Sequence, residues 1–381
     1  MHCLLKWGMS KPFDVCIRGD GVVGRALALL LARERLRVAL VTQRHAAPTG
    51  QPDAAPHPDV RAYALNSASR NLLETLRAWP EAPFVTPVRE MRIWGDDGGR
   101  IDFTAQGAAQ EALAWIVEVP ALEQQLIQAI RYQPHIETVA RPGPAALNVI
   151  CEGKASKSRD EFGVQWTVKP YPQKALAARL ELGQPHAGVA RQWFTHGDIL
   201  ALLPLSGPDG NSVALVWSVS VARATVLEAL PPEEFCAALQ AACGQDVEIS
   251  RLTSERVSWP LALSGAAHWV GPGWALAGDA AHTVHPLSGQ GFNLGLADVA
   301  GLAKVIAQRE YWRELGDEKL LRRYERARKA DVAAMGAVTD GLHGLFAQTD
   351  GAWQVLRNWG MNGVARSSLL KRWLARQAAG L

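Results

Sequence analysis

The stretch GDAAHTVHPLSGQGFNLG, residues 278–295, constrains this chain more than any other. Ahead of it, Trp274-Ala275-Leu276-Ala277 reads as a buried strand; behind it, Phe292, Leu294, Leu296, Val299, Leu302 and Ile306 recur at helical spacing. The aspartate, histidines, proline and glycines therefore fill a strand-to-helix turn. In open α/β sheets such turns lie at the carboxyl ends of the strands, where ligands bind and a helix N-terminus offers free N–H groups.

A second turn of this kind lies near the start of the chain. Val15, Cys16 and Ile17 form a short apolar strand, GDGVVG (19–24) follows, and Val23, Ala26, Leu27, Leu30 and Leu31 give a helix stripe before a strand at 37–41. In that context a G-x-G-x-x-G carries meaning. Gly19, Gly21 and Gly24 serve a tight turn, close approach to a pyrophosphate, and close packing of helix on strand. A nicotinamide enzyme needs only this first turn, whereas a flavin explains the pair. The first turn then takes the adenosine diphosphate half of FAD, and Gly278-Asp279 presents a carboxylate to the ribitol hydroxyls. Gly289-Gln290-Gly291 approaches the ring system, Pro286 fixes that approach, and Asn293 is placed to bond the ring edge. The positive end of the helix starting near Gly291 favours negative charge on the reduced ring. No second dinucleotide fingerprint exists for NAD(P)H, which is expected as a transient co-substrate. No side chain is assigned a catalytic role.

Hydrophobic residues make up 48% and charged residues 20% of the 381, the balance of a soluble globular protein. A net charge of +3 gives no ground for a nucleic-acid partner. The five cysteines form no C-x-x-C pair or zinc spacing, which predicts a reducing compartment and no metal. Lys6 interrupts the first apolar stretch and no window reaches a membrane span, so a cytoplasmic protein is expected.

Between the two turns the pattern is rich in strands. A loop over 45–60 precedes a helix over 66–78, and residues 88–103 form a hairpin closed by Asp97-Gly98. Further strands are predicted at 113–118, 146–151, 164–169, 174–181, 199–204 and 212–220, with helices at 121–131, 232–243 and from 292 onward. The predicted fold is α/β: a discontinuous Rossmann-like FAD-binding domain (13–82, 112–163, 257–308), an inserted β-sheet substrate domain (83–111, 164–256) and C-terminal helices (309–381). The tail sets Arg366, Lys371, Arg372 and Arg376 against Leu369, Leu370, Trp373 and Leu374. Such a basic amphipathic helix either packs on its own protein or touches an anionic membrane or a partner.

Around these motifs the chain resembles the class A flavoprotein monooxygenases with the para-hydroxybenzoate hydroxylase-like fold. It is most similar to the ubiquinone-biosynthesis hydroxylases, which add a hydroxyl to the ring of a polyprenylated phenol. The resemblance runs from about residue 13 to the end. Besides the two glycine motifs it takes in RAYALNSASRNLLETLRAW (61–79), REMRIW, WIVE, EGKASKSR (152–159), ALLPL (201–205) and WPL (259–261). It implies an FAD-dependent aromatic hydroxylase using NAD(P)H and O₂, with Arg61 in contact with FAD. It also implies a small aromatic substrate, and contact with the inner face of the membrane or a quinone-biosynthesis complex through the tail. A non-catalytic scaffold of such a complex, or another flavin oxidoreductase on the same fold, is the alternative.

The chain departs from the family pattern at four places. Thr42 ends the second strand where the family carries an acidic residue for the adenosine ribose, and Asp20 lies inside the phosphate turn, where it should face solvent. Glu152 replaces the aspartate of the family's A-D-G-x-x-S-x-x-R segment, here Cys151 to Arg159. The segment before it is too short for the family's usual β-meander. His282 and His285 read as hydrogen-bonding structural groups, His186 as packing, and the 14 tryptophans as core.

Overall fold

A computed structural model describes residues 13–42, 59–95, 99–107, 109–195, 197–283 and 291–347. The fold is α/β, built on a six-stranded sheet, a nine-stranded sheet and a small three-stranded sheet.

The six-stranded sheet runs in the order 270–271, Trp274–Leu276, Ala145–Ile150, Phe13–Arg18, Val38–Val41, Ile136–Val139. All its neighbours are parallel except the outermost pair, 270–271 with 274–276. Val38–Val41 is buried throughout, the unalternating apolar run of a parallel strand covered on both faces. Helix Val22–Arg33 covers one face and buries Val22, Ala26, Leu27, Ala28, Leu29 and Leu31. Helix Gly291–Ala307 packs beside it. On the other face Cys16 and Ala39 are fully buried. The link 140–144 runs straight from Ile136–Val139 into Ala145–Ile150, its Gly143 against the Phe13 ring. No meander separates those strands, as the short segment predicts.

The nine-stranded sheet carries the hairpin Glu90–Trp94 and Arg100–Thr104, whose turn at 97–98 lies outside the described residues. The strands expected at 164–169 and 174–181 are one strand, Trp166–Leu182. Pro170 and Pro172 have no N–H to give to a ladder, and the register slips between Pro170 and Lys174 without ending the strand. Strand Val189–Thr195, hidden by its mixed polarity, pairs in parallel with Glu90–Trp94. The two-residue strand His282–Thr283 joins the edge of this sheet by pairing with Val257–Ala266. Between the two large sheets, Ala62–Leu65, Ala114–Glu118 and Val85–Val88 form the third. Helix Ser67–Thr75 follows, capped by the Asn66 side chain, which accepts from the Ser69 N–H at 2.9 Å.

Candidate cofactor site

In the first turn each glycine meets a different demand. Gly19 has φ +108°, and a Cβ there would lie 2.5 Å from the Cys151 carbonyl oxygen. A Cβ on Gly24 would lie 2.0 Å from the Gly19 carbonyl oxygen. Both positions are closed by backbone. Gly21 is the opposite: a Cβ there meets nothing within 4 Å. Open space therefore lies at the start of helix Val22–Arg33, where unpaired N–H groups favour an anion, and the turn fits a diphosphate. Asp20 does not simply face solvent. Arg25 neutralises it at 3.5 Å, and Glu123 holds Arg25 from the other side at 4.0 Å.

The second turn lies beside the first. Val23 seats between Gly278 and Gly295: added Cβ atoms would come within 3.3 Å and 3.0 Å of its methyl groups. Gly278 also has φ +63°, a conformation that favours glycine. Asp279 follows in the short turn Gly278–Ala280, open to water yet ringed by protein. Burial pushes its pKa up from the usual carboxylate value, opposed by the nearby His282 and Lys154. Among the described residues no hydrogen bond engages its carboxylate, so it can accept hydroxyl donors, as a ribitol chain requires.

A buried charge cluster holds this turn. Asp298, with no exposure, accepts from the Gly278 N–H at 3.0 Å, His282 Nε2 at 2.7 Å and Arg328 Nε at 2.8 Å. His282 stacks on Trp269 with centroids 4.7 Å apart, and Tyr324 donates to the Leu276 carbonyl at 2.8 Å. His282 thus has the structural role its position predicts. Asp298 and Arg328 escape the sequence motifs, although an aspartate between Leu296 and Val299 on an apolar helix stripe was the available signal.

Further contacts fasten the surrounding segments. Glu152 substitutes for the family's aspartate: its carboxylate accepts from Ser156 Oγ at 2.8 Å, Ser158 N–H at 3.1 Å and Ser158 Oγ at 2.8 Å. Arg159 lies 3.7 Å over the Trp166 ring and donates to the Ala280 and Lys154 carbonyls. His186 spends both ring nitrogens on the backbone, at Leu205 and Gly188, consistent with packing.

Arg61 is half-exposed at the edge of this region, and Asp59 grips it like a fork. The Arg61 backbone N–H and Nε lie 3.0 and 2.9 Å from Oδ1, and Nη2 lies 2.6 Å from Oδ2. These bonds to Asp59 raise the guanidinium pKa further. Asn293 is held within the protein. Its oxygen accepts from the Asn66 N–H at 3.0 Å and Ser69 Oγ at 2.7 Å, and its nitrogen donates to the Ala64 carbonyl at 2.9 Å. At 5% exposure its amide is held by protein partners, and the side chain latches the motif helix to the start of helix Ser67–Thr75. Gly291 opens helix Gly291–Ala307, whereas Pro286, Gly289, Gln290, His285 and the basic tail lie outside the described residues.

Two adjacent glycine turns, one with open space at a helix start and one carrying Asp279, make up the candidate cofactor site. Residues 144–339 match the FAD binding domain family. The chain is 31% identical over 398 residues to the ubiquinone hydroxylase UbiL of Rhodospirillum rubrum, covering 97% of this chain and 90% of that protein. It is 30% identical over 406 residues to the 3-demethoxyubiquinol 3-hydroxylase of Escherichia coli, covering 98% and 100%. Its fold matches that of pqsL, a probable FAD-dependent monooxygenase from Pseudomonas aeruginosa, with a TM-score of 0.71 at 22% identity over 92% of this chain and 99% of that one. The chain belongs to the FAD-dependent monooxygenases, among the ubiquinone-biosynthesis hydroxylases, and is an oxidoreductase.

Proposed function

We propose that this protein hydroxylates the ring of a polyprenylated phenol in ubiquinone biosynthesis, using O₂ and NAD(P)H. The observation that carries the reading is the seating of Val23 between Gly278 and Gly295, which sets the diphosphate turn beside the Asp279 turn. Bound FAD would supply the redox chemistry that takes electrons from NAD(P)H and transfers one atom of O₂ to an electron-rich ring. The chain's own residues do the holding. Gly19, Gly21 and Gly24 shape the turn that receives the diphosphate, Arg61 adds a cation, and Gly278 and Asp279 hold the ribitol. Pro286, Gly289 and Gln290, outside the described residues, are assigned with Gly291 to the ring side by their sequence, and Asn293 keeps its helix in place. The nine-stranded sheet serves as the substrate domain; it also takes in Val257–Ala266 and His282–Thr283, which the boundary read at 257 assigned to the FAD-binding domain. No helix among the described residues is long and apolar enough to cross a membrane. Peripheral contact with a membrane or a biosynthetic complex therefore falls to the basic tail at 366–376, which suits a substrate drawn from lipid.

The test is a visible spectrum followed by turnover. Purified protein should carry a yellow flavin, oxidise NAD(P)H faster when a short-chain polyprenyl phenol is added, and place one labelled oxygen from O₂ in the product. Protein that stays colourless in excess FAD ends the reading. FAD-loaded protein with neither stimulation nor labelled product replaces it with a scaffold role.

A further inference from the structure

Arg159 sits where three parts of the molecule meet. It lies in the short helix Ser158–Glu161 at 6% exposure, and its donors go to main-chain carbonyls, Nη1 to Ala280 at 3.2 Å and Nη2 to Lys154 at 2.7 Å. Ala280 directly follows Asp279 in the turn Gly278–Ala280. The guanidinium carbon lies 3.7 Å from the ring centroid of Trp166, the first residue of the long strand Trp166–Leu182 in the nine-stranded sheet. One side chain therefore touches the Asp279 turn, the 152–159 segment and that sheet.

Backbone bonds close the same corner. Trp166 pairs with Ala266, whose N–H donates to the Ala281 carbonyl at 2.9 Å, and the Ala267 N–H donates to the Gln165 carbonyl at 3.0 Å. On the other side Glu152 fixes Ser158, the residue before Arg159, through its N–H and its hydroxyl. Arginine suits this junction because its planar fork donates in two directions while the ring takes its face, and a lysine ammonium has no such plane. A buried cation is costly to desolvate, and that cost is offset only while the carbonyls and the ring stay in place. A shift of the Trp166 end of the sheet thus moves the guanidinium, and with it the carbonyl next to Asp279.

We propose that Arg159 is a positioning residue for the Asp279 turn, and that its stack on Trp166 ties the hold on the cofactor to the placement of the nine-stranded sheet. The inference rests on the reading that Asp279 holds FAD. FAD binding to the full chain, followed by quenching of flavin fluorescence, should weaken roughly 5- to 50-fold in Arg159→Lys and about 3- to 10-fold in Trp166→Leu. Trp166→Phe keeps a ring and should bind as the wild type does. At saturating FAD the visible absorption of the bound flavin should shift in Arg159→Lys and Trp166→Leu. The two substitutions together should weaken binding by less than the product of their separate effects, the mark of a shared contact. A lowered melting temperature of the apoprotein with wild-type affinity and spectrum would make Arg159 a structural clamp alone and overturn the proposal. Equal affinity in Trp166→Leu and Trp166→Phe would overturn the link to the sheet, and that comparison holds even if Arg159→Lys fails to fold. Weak binding in Asp279→Asn beside wild-type binding in these variants would overturn this inference and leave the site intact. Unchanged binding in Asp279→Asn would overturn the reading of the turn, and this inference with it.

Discussion

The two glycine turns lie side by side but are held in different ways. The first is fixed by crowding: backbone closes on Gly19 and Gly24, and the partners are Cys151 and the turn itself. The second is fixed by charge: Asp298 gathers the Gly278 N–H, His282 and Arg328 from across the fold. A crowded turn tolerates no added atom yet needs no distant partner. A charge-held turn accepts small changes of shape but fails when a partner is removed, because the remaining charge is left buried.

The contrast can be broken in order of effect. Gly24→Ala places a Cβ on the Gly19 carbonyl and should cost more than about 4 kcal/mol, read as loss of folded protein in thermal denaturation. Asp298→Ala should cost about 3–5 kcal/mol by the same measurement, and converting Asp298 and Arg328 together to Leu and Met should restore most of it. If Asp298→Ala were harmless, charge would not be what holds the second turn. Asp279→Asn should weaken FAD roughly 5- to 150-fold. It should also raise the melting temperature of the apoprotein at neutral pH. The folded-state pKa of Asp279 is raised, so ionisation favours the unfolded chain once pH passes the usual carboxylate value near 4. The gain from asparagine should vanish below that value, and a gain that grew in acid would show the sign to be wrong. Least of all, Thr42→Glu should tighten FAD by roughly 3- to 10-fold in calorimetry by supplying an anionic ribose partner at the adenosine end. The Thr42 N–H is already fixed on the Val139 carbonyl at 3.0 Å, so the new side chain starts from a set backbone. Unchanged or weaker binding would mean that the ribose site is already filled.

Crowding leaves its trace in sequence and charge does not. Glycine spacing and the apolar stripe after it locate the first turn completely, since its contacts are short-range or with the strand next door. For the second turn the same signals find Gly278, Asp279 and the helix. They do not find Arg328, thirty residues beyond Asp298, which only tertiary packing brings into contact. The protein partners of Asn293 were hidden for the same reason, Asn66, Ser69 and Ala64 lying far back in the chain. Likewise two prolines look like the break between two strands, and the register slip that lets Trp166–Leu182 continue depends on neighbours on both sides.

The order of strands in the cofactor sheet also sets a clock on the ribosome. Phe13–Arg18 leaves first, but its neighbour Ala145–Ile150 arrives long after, and that strand waits in turn for Trp274–Leu276. About 260 residues separate the first strand from the last. At roughly 5–20 residues per second, that is about 13–50 s during which apolar strand edges have no partner. Newly made chains should therefore depend on chaperones, and any fragment ending before residue 276 should leave Ala145–Ile150 with a bare edge and aggregate.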